Sequence, residues 1–201
     1  LGFEADKMSS EAMKHHLETF MIPLIEKIQP DSTKAGGWKM IHMDSWEMGA
    51  QNWTDDFRRK FQELKGYDPL PYLPVYTGMI VGNVEESERF LWDLRMVSQE
   101  LILKNHVEYF KEFPRKYGMG LSIEPYDMNP AGDLDLGSYA DVIMAEFWSD
   151  GYGFKTAYAV LEATSISHIT GRPVVGAEVF TANSTESWQQ YPWSMKDQSD
   201  W

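Results

Sequence analysis

Hydrophobic and polar positions along this chain follow two periods, one typical of amphipathic helices and one typical of buried strands. Helical spacing of apolar residues predicts four helices: 9–28, about 54–65, a long helix from Asn83 that Pro114 and Gly118 end, and 155–170. Short apolar runs predict five strands: 1–6, 38–44, 119–126, 140–148 and 173–181. A further helix begins near residue 191.

Local signals mark where several of these helices begin and end. Ser9 is a candidate N-cap, and Asn83 followed by Glu86 forms a capping-box pattern. Gly66 ends the second helix. Pro23 lies inside the first helical stretch, where its missing N–H predicts a kink or a division of the helix.

Strands that alternate with helices, and that are almost continuously apolar, predict a parallel sheet buried on both faces. Two α/β architectures fit this order: a doubly wound open sheet and a (β/α)8 barrel. No glycine-rich phosphate loop follows any predicted strand, which disfavours the nucleotide-binding form of the open sheet. The sequence therefore predicts one domain over 1–201, an incomplete barrel of the (β/α)8 TIM-barrel type with about five consecutive βα units.

Each predicted strand carries a carboxylate at its C-terminal end. These residues are Glu4 and Asp6, Asp44 and Glu47, Glu124, Glu146, and Glu178. In a barrel the C-terminal ends of all strands meet at one mouth, which holds the active site. Acids crowded at such a mouth repel one another, so some of their pKa values should rise and a cation would relieve the repulsion.

The amino-acid composition limits the classes of ligand that the chain is expected to bind. The 8 Trp, 10 Tyr and 10 Phe provide flat apolar faces on which sugar rings stack, although a core built from large residues explains the same excess. The net charge of -13 argues against nucleic acid and anionic membrane surfaces as partners, and leaves neutral ligands and divalent cations open. The chain has no cysteine, which excludes a thiolate nucleophile, and no apolar run long enough to predict a membrane span.

Acids and aromatics at a barrel mouth point to glycoside hydrolysis by two carboxyl groups on opposite sides of a sugar. Glu47 and Glu178 stand three strands apart, which predicts that they face each other across the mouth. Trp46 can supply the apolar contact that keeps Glu47 protonated, so Glu47 is the predicted general acid and Glu178 the base. The alternatives are a retaining glycosidase and a carbohydrate-binding domain whose acids only hold calcium and sugar hydroxyls.

Two further positions stay open at this point. His42 lies two residues before Asp44, where it either points inward as an orienting donor or is a satisfied core histidine. Gln51 and Asn52 follow Glu47 and either bind sugar hydroxyls or cap the next helix.

At these residues the sequence also resembles a known family. The segments "GFEADKMS", "HMDSWEMGAQNWT", "SERFLWDLR", "SIEPY", "MAEFW" and "VVGAEVFT" resemble, in this order, glycoside hydrolase family 106, the α-L-rhamnosidases. The resemblance covers essentially the whole chain. Its most specific part is "DSWE" followed, after one residue, by "GAQNW". It implies a (β/α)8 catalytic domain of a much larger bacterial enzyme, periplasmic or secreted, that acts on plant polysaccharides.

The resemblance also implies an inverting mechanism and a calcium ion that helps to hold the rhamnose hydroxyls. Glu47 would match the family's acid, Glu178 its base, and Glu146 a calcium or substrate ligand. The remaining predicted substrate-binding residues are Asp44, Trp46, Asn52, Glu124, Tyr126 and Trp148. The chain would correspond to about the third to seventh βα units, so it could be inactive alone, and its partner would be a rhamnose-containing glycan.

Overall fold

Four parallel strands form the sheet, and each lies beside the strand that precedes it in the sequence. The computed structural model describes residues 4–47, 49–149, 156–182 and 187–200. The strands are β1 (Met40–Met43), β2 (Gly120–Ile123), β3 (Val142–Trp148) and β4 (Val175–Thr181), paired in the order β1-β2-β3-β4. Helices connect the strands, so the alternating α/β order predicted from the sequence is confirmed.

The described helices occupy the segments that helical spacing marks, with additions between them. They are α1 (Ser10–Ile28), α2 (Phe57–Lys65), α3 (Val84–Ile102), α4 (Glu108–Arg115), α5 (Asp133–Gly137), α6 (Thr156–Thr170) and α7 (Pro192–Asp200). A 3₁₀ helix covers Leu70–Thr77, and a π turn at Leu103–Val107 joins α3 to α4. None of the helices described has the length and apolar character needed to cross a membrane.

The predicted helix ends are confirmed by their hydrogen bonds. The Ala12 N–H donates to Ser9 Oγ at 3.3 Å, which caps α1. Asn83 and Glu86 cap α3 reciprocally: the Glu86 N–H donates to Asn83 Oδ1 at 2.9 Å, and Asn83 Nδ2 donates to Glu86 Oε1 at 2.8 Å. Pro23 does not divide α1, which continues to Ile28.

The two faces of the sheet, both predicted to be buried, differ within the described chain: helices cover one, and the other is only partly covered. Leu121, Ile123, Ile143 and Ala145 pack with residues of α2, α3 and α6 in the main hydrophobic cluster. The alternate residues point to the opposite face, which carries polar and acidic side chains and is partly exposed in the described chain. One face of the sheet therefore stabilises the fold, and the other is available for chemistry.

The strand predicted over 1–6 is wrong in its described part, and its first three residues lie outside the described ranges. Residues 4–6 form no strand, because Asp6 serves the turn that leads into α1: its Oδ1 accepts from the Met8 N–H at 2.9 Å. Its Oδ2 accepts from Thr54 Oγ1 at 2.5 Å. Asp6 therefore ties two loops together instead of ending a strand.

The buried carboxyl group of Glu162 on α6 should make the stability of the fold depend on pH. Burial, followed by the charge of Asp133, raises the pKa of Glu162 to about 7. From about pH 4.5 to 7 the folded chain holds a proton that the unfolded chain releases, so stability falls as pH rises through this window. We expect Glu162→Gln to raise the opening free energy of α6 amides in the intact protein at pH 8 by about 1–3 kcal/mol. Slower hydrogen exchange of these amides would measure the change.

At pH 4 the same variant should exchange like the unaltered protein, because Glu162 is then protonated in both states. Glu108→Gln on α4 is the control, since an exposed carboxyl should leave α6 exchange unchanged at both pH values. Equal α6 exchange in Glu162→Gln and the unaltered protein at pH 8 would contradict the prediction.

Candidate active site

The acid of the loop after β1 is held by two hydroxyl groups. Glu47 has a φ of 46°, a left-handed conformation that is unfavourable for a residue with a β-carbon. Ser45 Oγ donates to Glu47 Oε1 at 2.9 Å, and the Tyr126 hydroxyl donates to the same oxygen at 2.7 Å. Since Tyr126 lies on the loop after β2, two adjacent loops together orient the Glu47 carboxyl group.

The acid at the end of β2 is buried and paired with a second acid. Glu124 is only 2% exposed, and its N–H donates to the Met43 carbonyl at 3.0 Å, which extends the β1–β2 pairing. Burial raises the pKa of Glu124 to about 9, helped by a hydrogen bond to Asp44 and by the charges of Asp44, Glu146 and Glu178. That hydrogen bond, with the charge of His42, also keeps the pKa of Asp44 below its usual value. At neutral pH Glu124 is therefore protonated and donates to the Asp44 carboxylate.

Glu146 and Glu178 are paired positions on the neighbouring strands β3 and β4. Glu146 is 5% exposed, and its Oε1 accepts from the Trp148 indole N–H at 2.6 Å. Glu178 is exposed, and its Oε1 accepts from Thr181 Oγ1 at 2.6 Å. Glu124 lies two residues after Ser122, which pairs with Val142, so alternation and strand pairing place Glu124, Glu146 and Glu178 on the polar face.

Tyr126 connects the Glu47 side of this group to the β3 side. Burial raises the pKa of its hydroxyl above the usual range, and a hydrogen bond to Glu146 adds to the effect. Tyr126 therefore lies between Glu47 and Glu146. Hydrogen bonds, strand pairing and electrostatic interactions thus link Glu47, Glu124, Glu146 and Glu178 near the C-terminal ends of the strands. Their individual catalytic and binding roles stay predictions.

Several oxygens of this site fit a hard cation. Ligand atoms of His42, Asp44 and Glu124 lie within 4.8 Å of one another. Glu124 Oε1 and Glu146 Oε2 are buried and have no hydrogen-bond partner among the described residues. Carboxylate oxygens without partners are what Ca²⁺ prefers, whereas the His42 nitrogen suits it less. The residues present therefore fit calcium. The sequence resemblance implied only Glu146 as a calcium ligand, whereas the structure also brings oxygens of Asp44 and Glu124 close together.

His42 belongs to the polar face and is not a core histidine. Its Nδ1 lies 3.0 Å from Ser122 Oγ, and its Nε2 lies 3.6 Å from Asp44 Oδ1. The side chain is 42% exposed, which excludes the core alternative. Ser122 was not marked by any sequence motif, although its alternation with Leu121 and Ile123 in a short strand places it on this face.

The Trp46 ring contacts residues of both the helix layer and the N-terminal segment. Its ring stacks on His106 with centroids 5.3 Å apart, and Lys7 Nζ lies 5.1 Å from the ring centroid. Burial lowers the pKa of His106 to about 3, so this histidine is neutral. No sequence pattern marks His106, because its partner is 60 positions away and its π turn has no local signature. The prediction that Trp46 contacts sugar gains no support from this packing.

Asn52 lies outside the group of acids. It is exposed and lines a groove of about 360 Å³ together with Tyr76, Arg95 and Asn129. Its neighbour Gln51 has a structural function: Gln51 Oε1 accepts from the Lys7 N–H at 2.7 Å, and Nε2 donates to the Ala5 carbonyl at 3.0 Å. Asn52 remains a predicted sugar ligand, whereas Gln51 fastens the N-terminal segment to the loop.

Comparison with known proteins places this arrangement in a family. The model of glycoside hydrolase family 106, described as alpha-L-rhamnosidase, matches residues 1–201. The chain belongs to this family. The resemblance noted in the sequence is thereby confirmed over the full length of the chain.

Two relatives of known name match the chain along nearly its whole length. The structure of a rhamnosidase from Novosphingobium sp. PP1Y superimposes with a TM-score of 0.80 at 30% identity, covering 97% of this chain and 19% of that one. A protein of Formosa agariphila named "Putative beta-glucuronidase" is 36% identical over 199 residues, which are 99% of this chain and 16% of the relative. The chain thus spans less than a fifth of either relative.

Proposed function

We propose that the protein containing this chain is an inverting α-L-rhamnosidase, with Glu47 as its general acid and Glu178 as its general base. The observation that carries this proposal is the convergence of strand-end carboxyl groups on one face of the sheet, in a chain of a rhamnosidase family. The substrate is a rhamnose-containing glycan, bound over the polar face beside Tyr126 and Trp148.

The reaction assigns one proton transfer to each acid. Glu47 donates its proton to the leaving-group oxygen as the bond from that oxygen to the anomeric carbon breaks. A water oxygen attacks the opposite side of the anomeric carbon and gives its proton to Glu178. Ser45 and Tyr126 orient Glu47 through their hydroxyl groups, and the Thr181 hydroxyl does the same for Glu178.

We interpret the four-stranded sheet as a segment of a (β/α)8 barrel. Three features support this: the strands are all parallel, they pair in sequence order, and the helices pack on one face only. The acids then occupy the interior face at the C-terminal ends of the strands, where such barrels carry their active sites. A doubly wound sheet would instead place helices on both faces.

We further propose that calcium binds between Asp44, Glu124 and Glu146. When bound, the ion would hold vicinal hydroxyl groups of rhamnose and so orient the sugar ring. The oxygens without partners on Glu124 and Glu146 support this position, and so do the burial and, after it, the neighbouring negative charges that raise the pKa of Glu124. Asp44 and Glu124 would then act through the ion as well as directly on the sugar.

The stereochemistry of the product tests the mechanism directly. We expect the intact protein to hydrolyse an aryl α-L-rhamnoside and to release β-L-rhamnose first, observed by proton NMR before the anomers equilibrate. The physical reason is a single displacement by water, which the two acids permit when they lie about 6.5–9.5 Å apart, against about 5 Å in retaining enzymes.

The alternatives give different spectra. α-L-Rhamnose as the first product would indicate a retaining glycosidase. Turnover of an aryl β-D-glucuronide in place of the rhamnoside would favour the activity in the name of the Formosa agariphila relative. Rhamnose binding without any turnover would indicate a carbohydrate-binding protein.

A further inference from the structure

The groove that contains Asn52 has the composition of a sugar subsite. Its floor is apolar, formed by Leu91 and the buried Leu94 of α3. Tyr76, at the end of the 3₁₀ helix, is half exposed along one wall, where its ring offers a stacking surface. The amides of Asn52 and Asn129 can donate to hydroxyl groups. A concave apolar surface with a few polar groups is the usual form of a ligand site.

Arg95 gives this groove a positive charge with no acid to neutralise it. In the part of the chain that the structure describes, Arg95 makes no hydrogen bond or ion pair. The other arginines all do: Arg58 with Asp68, Arg59 with Asp56 and Glu63, Arg89 with Glu85, Arg115 with Glu112, and Arg172 with the Ser138 carbonyl. In a chain of 31 acidic and 18 basic residues, an arginine left without a carboxylate is available to one from outside.

Arg95 lines the groove together with Tyr76, and its charge acts on the Tyr76 hydroxyl. Burial raises the pKa of the Tyr76 hydroxyl, and the positive charge of Arg95 acts in the opposite direction. Arg95 and Tyr76 therefore line the same groove as the apolar Leu91 and Leu94, close enough for the charge to act on the hydroxyl. A ring stacked on Tyr76 would bring a substituent within reach of Arg95.

Part of the groove is lined by the two loops that hold Glu47. Gly49 and Asn52 follow Glu47 by two and five positions, and Asn129 follows Tyr126 by three. Because two residues span at most about 7 Å, the edge of the groove at Gly49 lies within that distance of the Glu47 Cα. A general acid lies next to the leaving group of its substrate, so, with Glu47 as the proposed acid, a groove beside its loop is placed to receive the leaving group.

We infer that the groove of Tyr76, Arg95, Asn52 and Asn129 is a leaving-group subsite for a uronic acid, whose carboxylate Arg95 binds. The inference rests on the proposed function for the position of Glu47 relative to the scissile bond. Arg95 provides a bidentate, charge-assisted donor to the sugar carboxylate, and Tyr76 stacks on the sugar ring. The substrate class is then a glycan in which rhamnose is attached to a uronate.

Direct binding tests the subsite without any turnover. We expect the intact protein to bind methyl β-D-glucuronide at least about 10-fold more tightly than methyl β-D-glucoside, measured by calorimetry or ligand-observed NMR. Arg95→Gln should remove this preference, because the amide cannot form the bidentate ionic contact. Arg89→Gln is the matched control on the same helix, where Arg89 pairs with Glu85, and it should keep the preference.

Hydrolysis tests the position of the subsite. We expect kcat/KM for an α-L-rhamnoside of glucuronic acid to exceed that for the same rhamnoside of glucose by about 10- to 100-fold. In Arg95→Gln this ratio should fall to near 1, mainly through KM. Equal binding of the two methyl glycosides, or an unchanged ratio in Arg95→Gln, would overturn the inference. The protein could also bind the glucuronide through Arg95 and yet show no rhamnosidase activity. That result would refute the proposed function but support the uronate subsite.

Discussion

Replacing Glu47 or Glu178 by Gln in the intact protein is expected to lower kcat for an α-L-rhamnoside by about 10²–10⁴-fold. Glutamine keeps the shape of the side chain and can still accept from Tyr126 or Thr181, so the site should keep its geometry. In the proposed mechanism, the change removes the proton that Glu47 would donate, or the acceptor that Glu178 would offer to water. Steady-state kinetics would measure the effect, with circular dichroism to show that the fold is retained.

Two substrates separate the roles of the acids. The Glu47→Gln variant should lose less activity on a nitrophenyl rhamnoside than on an alkyl rhamnoside, because nitrophenolate leaves without a proton. Azide should restore part of the turnover of Glu178→Gln, because this nucleophile needs no base. Glu112→Gln, an exposed ion-pair residue on α4, is the control and should leave kcat unchanged. Ordinary activity in either active-site variant would refute the assignment.

Removing calcium is the second large effect that we expect. Treatment of the intact protein with a calcium-selective chelator should lower kcat/KM for an α-L-rhamnoside by about 100-fold or more, since a bound metal contributes several kcal/mol. The oxygens of Asp44, Glu124 and Glu146 are gathered on one face, where the ion would replace the Glu124 proton and balance the negative charge. Steady-state kinetics before and after chelation would measure the loss.

Metal identity and a matched variant sharpen this test. Added Ca²⁺ should restore activity, whereas Mg²⁺ should not, because the smaller ion requires a tighter octahedral site. Asp44→Asn should raise the calcium concentration needed for half activity, and Asp55→Asn, on an exposed loop, should leave it unchanged. Full activity after chelation would remove the metal from the proposed mechanism.

The positions of the strands and of their terminal acids could be predicted well because both depend on local patterns. The apolar runs at 140–148 and 173–181 became β3 and β4, and alternation then places Glu146 and Glu178 on one face. In its described residues, 4–6, the first predicted strand is wrong, for a reason that is also local. Asp6 accepts from the Met8 N–H, and this turn competes with a strand.

Side-chain partners were harder to predict, because they come from distant parts of the chain. Tyr126 and Glu47 are 79 positions apart, and His42 and Ser122 are 80 positions apart. The position of Arg95 in a groove likewise depends on how α3 packs against the loops after β1 and β2. No periodicity along one segment reports such contacts.

The sequence by itself determined which residues are acidic, where the strands end, and therefore which carboxyl groups meet at the C-terminal edge of the sheet. Only the tertiary structure decided that Glu124 carries a proton, that Trp46 packs on His106, and that Arg95 has no acidic partner among the described residues. The physical reason is that desolvation and Coulomb interactions depend on burial and on distance through space. Both quantities are set when segments far apart in the chain come together.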